Sequence, residues 1–182
     1  MNYSIRPAQA ADSAGIAHVQ LTSYRTAYKA FIPLPFYDTM TEEEQTGDWQ
    51  ELMRDPQHEP LYVAQTDAGD IVGYALAKTQ PDGFDTALGE LDAMHVLKAY
   101  QRYGIGSQLF YTVAQEMKQR GKTGMMLWTL EGNPVRAFYE RLGGALAGAK
   151  EYDVDDIHVT EVAYRWDDID TLITRLKNRN GA

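Results

Sequence analysis

At 182 residues and 44% hydrophobic content the chain is long enough for one sizeable core and short for two, so a single domain over residues 1–182 is expected. It has no cysteine, which excludes a disulfide framework, a thiolate metal site and a cysteine nucleophile. A net charge of −9 disfavours nucleic acid and anionic membrane as partners, and no apolar run reaches bilayer length, so a soluble, cytoplasmic protein is expected.

Tyr3 to Arg6 alternates like a strand and stops at Pro7, after which Asp12 is positioned to cap a helix with Ile16, Val19 and Ala27 on its apolar side. An irregular stretch rich in proline and aromatics follows, including Phe31 and Phe36, and Thr41-Glu42-Glu43-Glu44 then has the form of a capping box opening a second helix. Its glutamates complement the positive end of the helix dipole, which suffices to explain them. Leu61 to Gln65 and Ile71 to Lys78 are β-rich runs joined by a hairpin turn at Thr66-Asp67-Ala68-Gly69-Asp70. Beyond a loop at Pro81-Asp82-Gly83, Gly89 to Leu97 reads as a strand and Ser107 to Arg120 as a helix closed by Gly121. Met125 to Leu130 is a further strand. Asn133-Pro134 opens another helix, with a capping residue followed by proline at the first helical position, and Gly143-Gly144 ends it. Val159 to Trp166 is a strand, and Ala147 to Val154 is open to being one more. The order β-α-α-β-β-β-α-β-α-β defines a mixed α/β sheet without internal repeats.

The segment Gln101-Arg102-Tyr103-Gly104-Ile105-Gly106-Ser107 joins an apolar strand to an amphipathic helix and reads as a phosphate cradle. Glycines permit close backbone approach, successive amides point into the turn, and the helix adds its positive end. A Walker loop needs four residues between its glycines and then Gly-Lys-Ser/Thr, whereas Gly106 is followed by Ser107 and Gln108. The dinucleotide fingerprint needs a small residue where Leu109 stands. An ordinary strand-to-helix turn is the other reading of the same residues. His18, His58, His95 and His158 are scattered without metal-ligand spacing, so no metal is expected and each histidine reads as structural or solvated.

Together with the element order, two motifs resemble the GNAT family of N-acetyltransferases over nearly the whole chain. The family's pyrophosphate motif, Gln/Arg-x-x-Gly-x-Gly/Ala, is matched at Gln101, Gly104 and Gly106. Its second motif, an asparagine followed by a helix that ends in Phe-Tyr and a glycine stop, is matched from Asn133 through Phe138-Tyr139 to Gly143-Gly144. Ile5-Arg6-Pro7-Ala8 resembles the usual first strand, and Tyr24-Arg25-Thr26-Ala27-Tyr28 a helix of one branch. Lys98 stands where many members carry proline. The resemblance implies the acyl-CoA N-acyltransferase fold: a central sheet flanked by helices and splayed between its fourth and fifth strands, with acetyl-CoA as co-substrate in the gap. Main-chain groups of Met94, His95 and Val96 would bond the pantetheine arm, amides from Gln101 to Ser107 (Arg102, Tyr103, Gly104, Ile105 and Gly106 between them) would hold the pyrophosphate, and Asn133 would meet the cofactor after the fifth strand.

An amine acceptor is mostly protonated near neutrality, so transfer needs a base. Glu90 stands 11 residues before Gln101, the spacing at which family members often place a glutamate base, and strand alternation puts Asp92 on the same face as an alternative or a water-positioning partner. Tyr139 occupies the family position for the acid that meets the departing thiolate, with core packing as its other reading; Phe138 is expected in the core. An amide near Val96 is the expected oxyanion donor. Tyr24, Tyr28, Phe31 and Trp49 either rim the acceptor pocket or pack in the core. The implied activity is transfer of acetyl from acetyl-CoA to a primary amine of a small molecule or peptide by direct attack in a ternary complex. A non-catalytic acyl-CoA sensor or partner-binding module of the same fold is the alternative. Longer acyl chains and hydroxyl acceptors stay open, as does the choice between monomer and homodimer, both common in the family.

Overall fold

Short turns and three helix-bearing connections assemble seven strands into a single sheet of order β1-β2-β3-β4-β5-β7-β6. They are β1 (Tyr3–Pro7), β2 (Leu61–Thr66), β3 (Ile71–Lys78), β4 (Leu88–Val96), β5 (Gly124–Leu130), β6 (Ala145–Val154) and β7 (Ile157–Trp166). The structure is a computed structural model that describes residues 2–28, 39–55, 59–81, 83–154 and 156–180. Every neighbouring pair is antiparallel except β4 and β5, which run parallel because a helix crosses over between them. That parallel pairing covers only Leu88↔Gly124, Gly89↔Met125 and Glu90↔Met126. Beyond Glu90 the two strands part, and the sheet is splayed between its fourth and fifth strands as expected.

Side-chain alternation gives the sheet two buried faces. Leu61, Val63, Tyr74 and Leu76 meet Ile16 and Val19 of α1 (Ser13–Ser23) and Trp49 of α2 (Glu42–Arg54). On the other face Ala64, Ala75 and Ala77 lie in one cluster with Leu109, Phe110 and Val113 of α3 (Ile105–Gln119). Tyr139 of α4 (Arg136–Arg141) joins that cluster, as do Leu172 and Leu176 of α5 (Ile169–Asn180). Burial of each large aliphatic side chain contributes about 1.5–3 kcal/mol, so these two layers hold the sheet between them. At Gly89 α3 lies tight against β4: a Cβ there would stand 2.6 Å from Met117 Cγ.

The capping box forms as read, with Glu44 N–H donating to Thr41 Oγ1 at 3.2 Å and Thr41 N–H to Glu44 Oε2 at 3.2 Å. Asp12 does not cap α1 with its side chain. Its carboxylate instead takes a two-pronged bond from Arg6, 2.7 and 2.8 Å, and one from Gln9 N–H at 2.8 Å, tying β1 to the helix entry. Trp49 belongs to the core and not to a pocket rim; its Nε1 donates to Gln20 Oε1 at 2.8 Å. Ala147 to Val154 is a strand, two residues longer than read. The helix α5 is an addition to the expected order. Asp168 caps it by accepting from Asp170 N–H and Thr171 N–H, and Ile169, Leu172 and Leu176 are buried at helical spacing against the α3 layer.

Candidate active site

The separation of β4 from β5 opens an inner cleft of about 430 Å³. From β4 it is lined by Asp92, Met94, His95 and Val96, from the following turn by Gln101, and from the loop after β5 by Asn133. Tyr24, just past α1, and Tyr139 of α4 also line it. Leu97 N–H bonds Val72 O on the β3 side, so alternation turns the main-chain groups of Met94 and Val96 toward the gap and those of His95 toward β3. Past Glu90 that edge of β4 has no ladder partner on β5. It is therefore a free strand edge facing a cleft, the kind of surface that pairs with an extended amide-bearing ligand.

The glycine turn closes one end of this cleft. Arg102 and Gly104 both take the left-handed conformation, with φ of 69° and 86°, and α3 begins at Ile105. Gly104 is required there because a β-carbon in that region clashes with its own carbonyl. The N–H groups of Ile105, Gly106 and Ser107 fall in the first turn of α3, where a helix supplies no acceptor. At Gly106 an added Cβ would have Met94 Cε as its nearest neighbour, at 3.9 Å. Gln101 Nε2 donates to Val96 O at 3.0 Å, bracing the turn against the end of β4. Asn133 Oδ1 accepts from Val135 N–H at 3.1 Å, shaping the entry to α4. A nest of unsatisfied amides at a helix start, next to an unpaired strand edge, fits a ligand with a diphosphate at one end and amides along its arm.

The model of the Acetyltransferase (GNAT) family matches residues 23–144. The chain belongs to the GNAT acetyltransferase family. It is an acetyl-CoA-dependent acyltransferase. A Bacillus subtilis (strain 168) protein described as an uncharacterized N-acetyltransferase, YuaI, is 28% identical over 95% of this chain and 98% of its own. An N-acetyltransferase from Staphylococcus aureus Mu50 superposes with a TM-score of 0.71 at 19% identity, covering 92% of this chain and 99% of that one. A GNAT phosphinothricin acetyltransferase from Sinorhizobium meliloti, solved in complex with acetyl-CoA, superposes with a TM-score of 0.69 at 19% identity, covering 92% and 89%.

Within this GNAT site the two carboxylates are not equivalent. Glu90 sits at the last paired step of the sheet, 5% exposed, and is not among the residues lining the inner cleft. Asp92 lines it, with Lys78 Nζ 2.6 Å from its Oδ1. A bulge lies beside them: Leu76 pairs with Ala93 and Ala77 with Leu91, so Asp92 is the extra residue of β4 and strict two-residue alternation is interrupted there, while Lys78, opposite Glu90 in the ladder, reaches Asp92.

Tyr139 meets both of its expected readings, and Phe138 packs against the core only in part. Tyr139 is 6% exposed, packed edge-on against Phe110 and Trp166, and still lines the cleft, whereas Phe138 is only half-buried and faces a second, outer cleft. Tyr24 meets the His95 ring edge-on at 5.5 Å, and burial pushes the His95 imidazole down to about 4, which keeps it neutral at pH 7. Phe31 and the side chain of Tyr28 lie outside the described residues.

Several lining residues carry no sequence signal. Ser23 ends α1 with its Oγ buried and without a hydrogen-bond partner among the described residues, and Tyr152 of β6 and Glu161 of β7 also line the cleft. Each is an ordinary polar residue of a helix end or hairpin until the splay brings it to the cleft. Among the described residues no group of three or more His, Asp or Glu could hold a metal ion, and no helix is long and apolar enough to cross a membrane.

Proposed function

We propose that this GNAT enzyme transfers the acetyl group of acetyl-CoA to a primary amine of a small molecule or peptide, by direct attack within a ternary complex. The observation that carries this reading is one cleft with the glycine turn at one end and Asp92, Ser23 and Glu161 on its walls. Acetyl-CoA supplies the activated acyl group as a thioester. The residues of the chain supply position and proton transfer.

Main-chain groups of Met94 and Val96 hold the pantetheine arm, amides of the Gln101 to Ser107 turn hold the pyrophosphate, and Asn133 shapes the cleft where the arm passes α4. The Val96 N–H, facing the gap, is the oxyanion donor. Asp92 is the base that takes the ammonium proton; its place in the cleft supports it over Glu90, whose burial at the closed end of the gap supports a role in shaping the floor. Tyr139 passes its hydroxyl proton to the departing sulfur. Tyr24 walls the acceptor side.

A panel of primary amines and alcohols tests this, with free thiol followed at saturating acetyl-CoA. Amine-dependent thiol release that falls in Asp92→Asn is the expected result. Release with alcohols alone, or amine turnover indifferent to Asp92→Asn, would overturn the acceptor or the base respectively.

A further inference from the structure

The outer cleft is larger than the inner one, about 1170 Å³, and shares Met94, Val96, Gln101, Asn133 and Val135 with it. The two clefts are therefore contiguous, and the glycine turn lines the outer one. Three arginines from three separate elements line it: Arg102 in the turn, Arg141 at the end of α4 and Arg179 in the last turn of α5. Among the described residues no Asp or Glu lines it. Among the described residues none of these guanidiniums makes an ion pair, whereas Arg6, Arg120 and Arg165 each pair with a carboxylate.

In a chain of net charge −9 such a concentration of unneutralised positive charge marks an anion site. The amides at the start of α3 are already matched to the pyrophosphate; Arg141 and Arg179, brought to the same cleft by two other elements, add charge that calls for an additional phosphate. Arginine rather than lysine suits that ligand, because its planar fork bonds a phosphate through two donors. Arg179 Cζ lies 5.7 Å from the centre of the half-buried Phe138 ring, which steadies a side chain near the chain's end and places an aromatic surface beside the charge.

We propose that Arg141 and Arg179, with Arg102, bind the 3′-phosphate of the CoA nucleotide beside Phe138, so that the C-terminal helix α5 makes the enzyme select CoA over its 3′-dephospho form. This rests on the acetyl-CoA reading above.

Calorimetric titration with CoA and with 3′-dephospho-CoA separates the two claims. The wild-type protein is expected to bind CoA about 10- to 100-fold more tightly, the range for one or two charge-assisted bonds. In an Arg141→Ala/Arg179→Ala protein of unchanged melting temperature the ratio falls toward one, mainly by loss of CoA affinity; Arg179→Lys retains part of it. Equal wild-type affinity for the two ligands overturns the 3′-phosphate site while leaving acetyl-CoA binding intact, as does an equal loss for both ligands in the double variant. Failure of the folded wild-type protein to bind either ligand overturns the acetyl-CoA reading and the inference with it.

Discussion

Tyr139 combines two demands on one side chain. Its ring is packed with Phe110, Phe138, Tyr164 and Trp166, and the residue also lines the inner cleft. Tyr139→Phe preserves the packing and removes only the proton donor, so acetyl-CoA affinity should stay within about twofold while kcat falls by roughly tenfold to thousandfold. Equal kcat in wild type and variant would assign the ring to packing alone. The Phe-Tyr motif was legible in the sequence, but which ring goes inward was not. Adjacent helix residues differ by 100° in direction, and the apolar count of a six-residue helix cannot fix its rotation. Contact with Phe110 and Trp166, far away in the chain, fixes it.

At the scale of an element, the turn into α3 is where local sequence and site coincide. Two-glycine spacing, a preceding strand and a following amphipathic helix were all readable, because turn conformation is governed by neighbours within a few residues. The two glycines nevertheless have different duties. Gly104→Ala forces a β-carbon into φ 86° and should cost about 1–2 kcal/mol of stability, with a clear loss of acetyl-CoA affinity as the cradle relaxes. Gly106 has room, its added Cβ meeting nothing nearer than Met94 Cε at 3.9 Å, so Gly106→Ala should bind acetyl-CoA within a fewfold of wild type. Paired urea melts and titrations of the two variants check both statements. The helix α5, by contrast, was passed over although Ile169, Leu172 and Leu176 carry helical periodicity and Asp168 a capping pattern. Its partners are α3 residues some 60 positions earlier, and nothing local announces that a tail of that composition is docked and not free.

For the whole molecule, burial in the closed sheet has a pH signature. His95 is held neutral, with its pKa pushed down to about 4 by burial, against an ordinary value of 6.5. The unfolded chain thus binds more protons here than the native one between about pH 6.5 and 4, and the contribution of this residue is complete above 6.5 and lost as pH falls through that window. Asp12 is shifted down, chiefly by its bond from Arg6, and its contribution is lost at still lower pH, on descending from its ordinary 3.8. Urea midpoints at pH 7 and pH 5 should therefore fall more for wild type than for His95→Gln, by an amount on the order of 1–2 kcal/mol. Identical pH slopes would mean that His95 is solvated in the native protein.

Most of the strands and helices, though not α5, are written in short-range signals, as are the hairpin turn, the α2 capping box, the glycine cradle and the Asn133 to Gly144 motif, and through them the family and its cofactor. Tertiary structure decided everything that depends on two distant segments meeting. The parting of β4 from β5 after three pairs creates the cleft, and a bulge at Asp92 interrupts the alternation of β4. Chain folding then brings Ser23, Tyr152 and Glu161 to the inner cleft and Arg102, Arg141 and Arg179 to the outer one. Local preferences are set by backbone sterics and nearest neighbours, so they are written along the chain. The direction of a side chain is set by what packs behind it, and that is written only in the folded molecule.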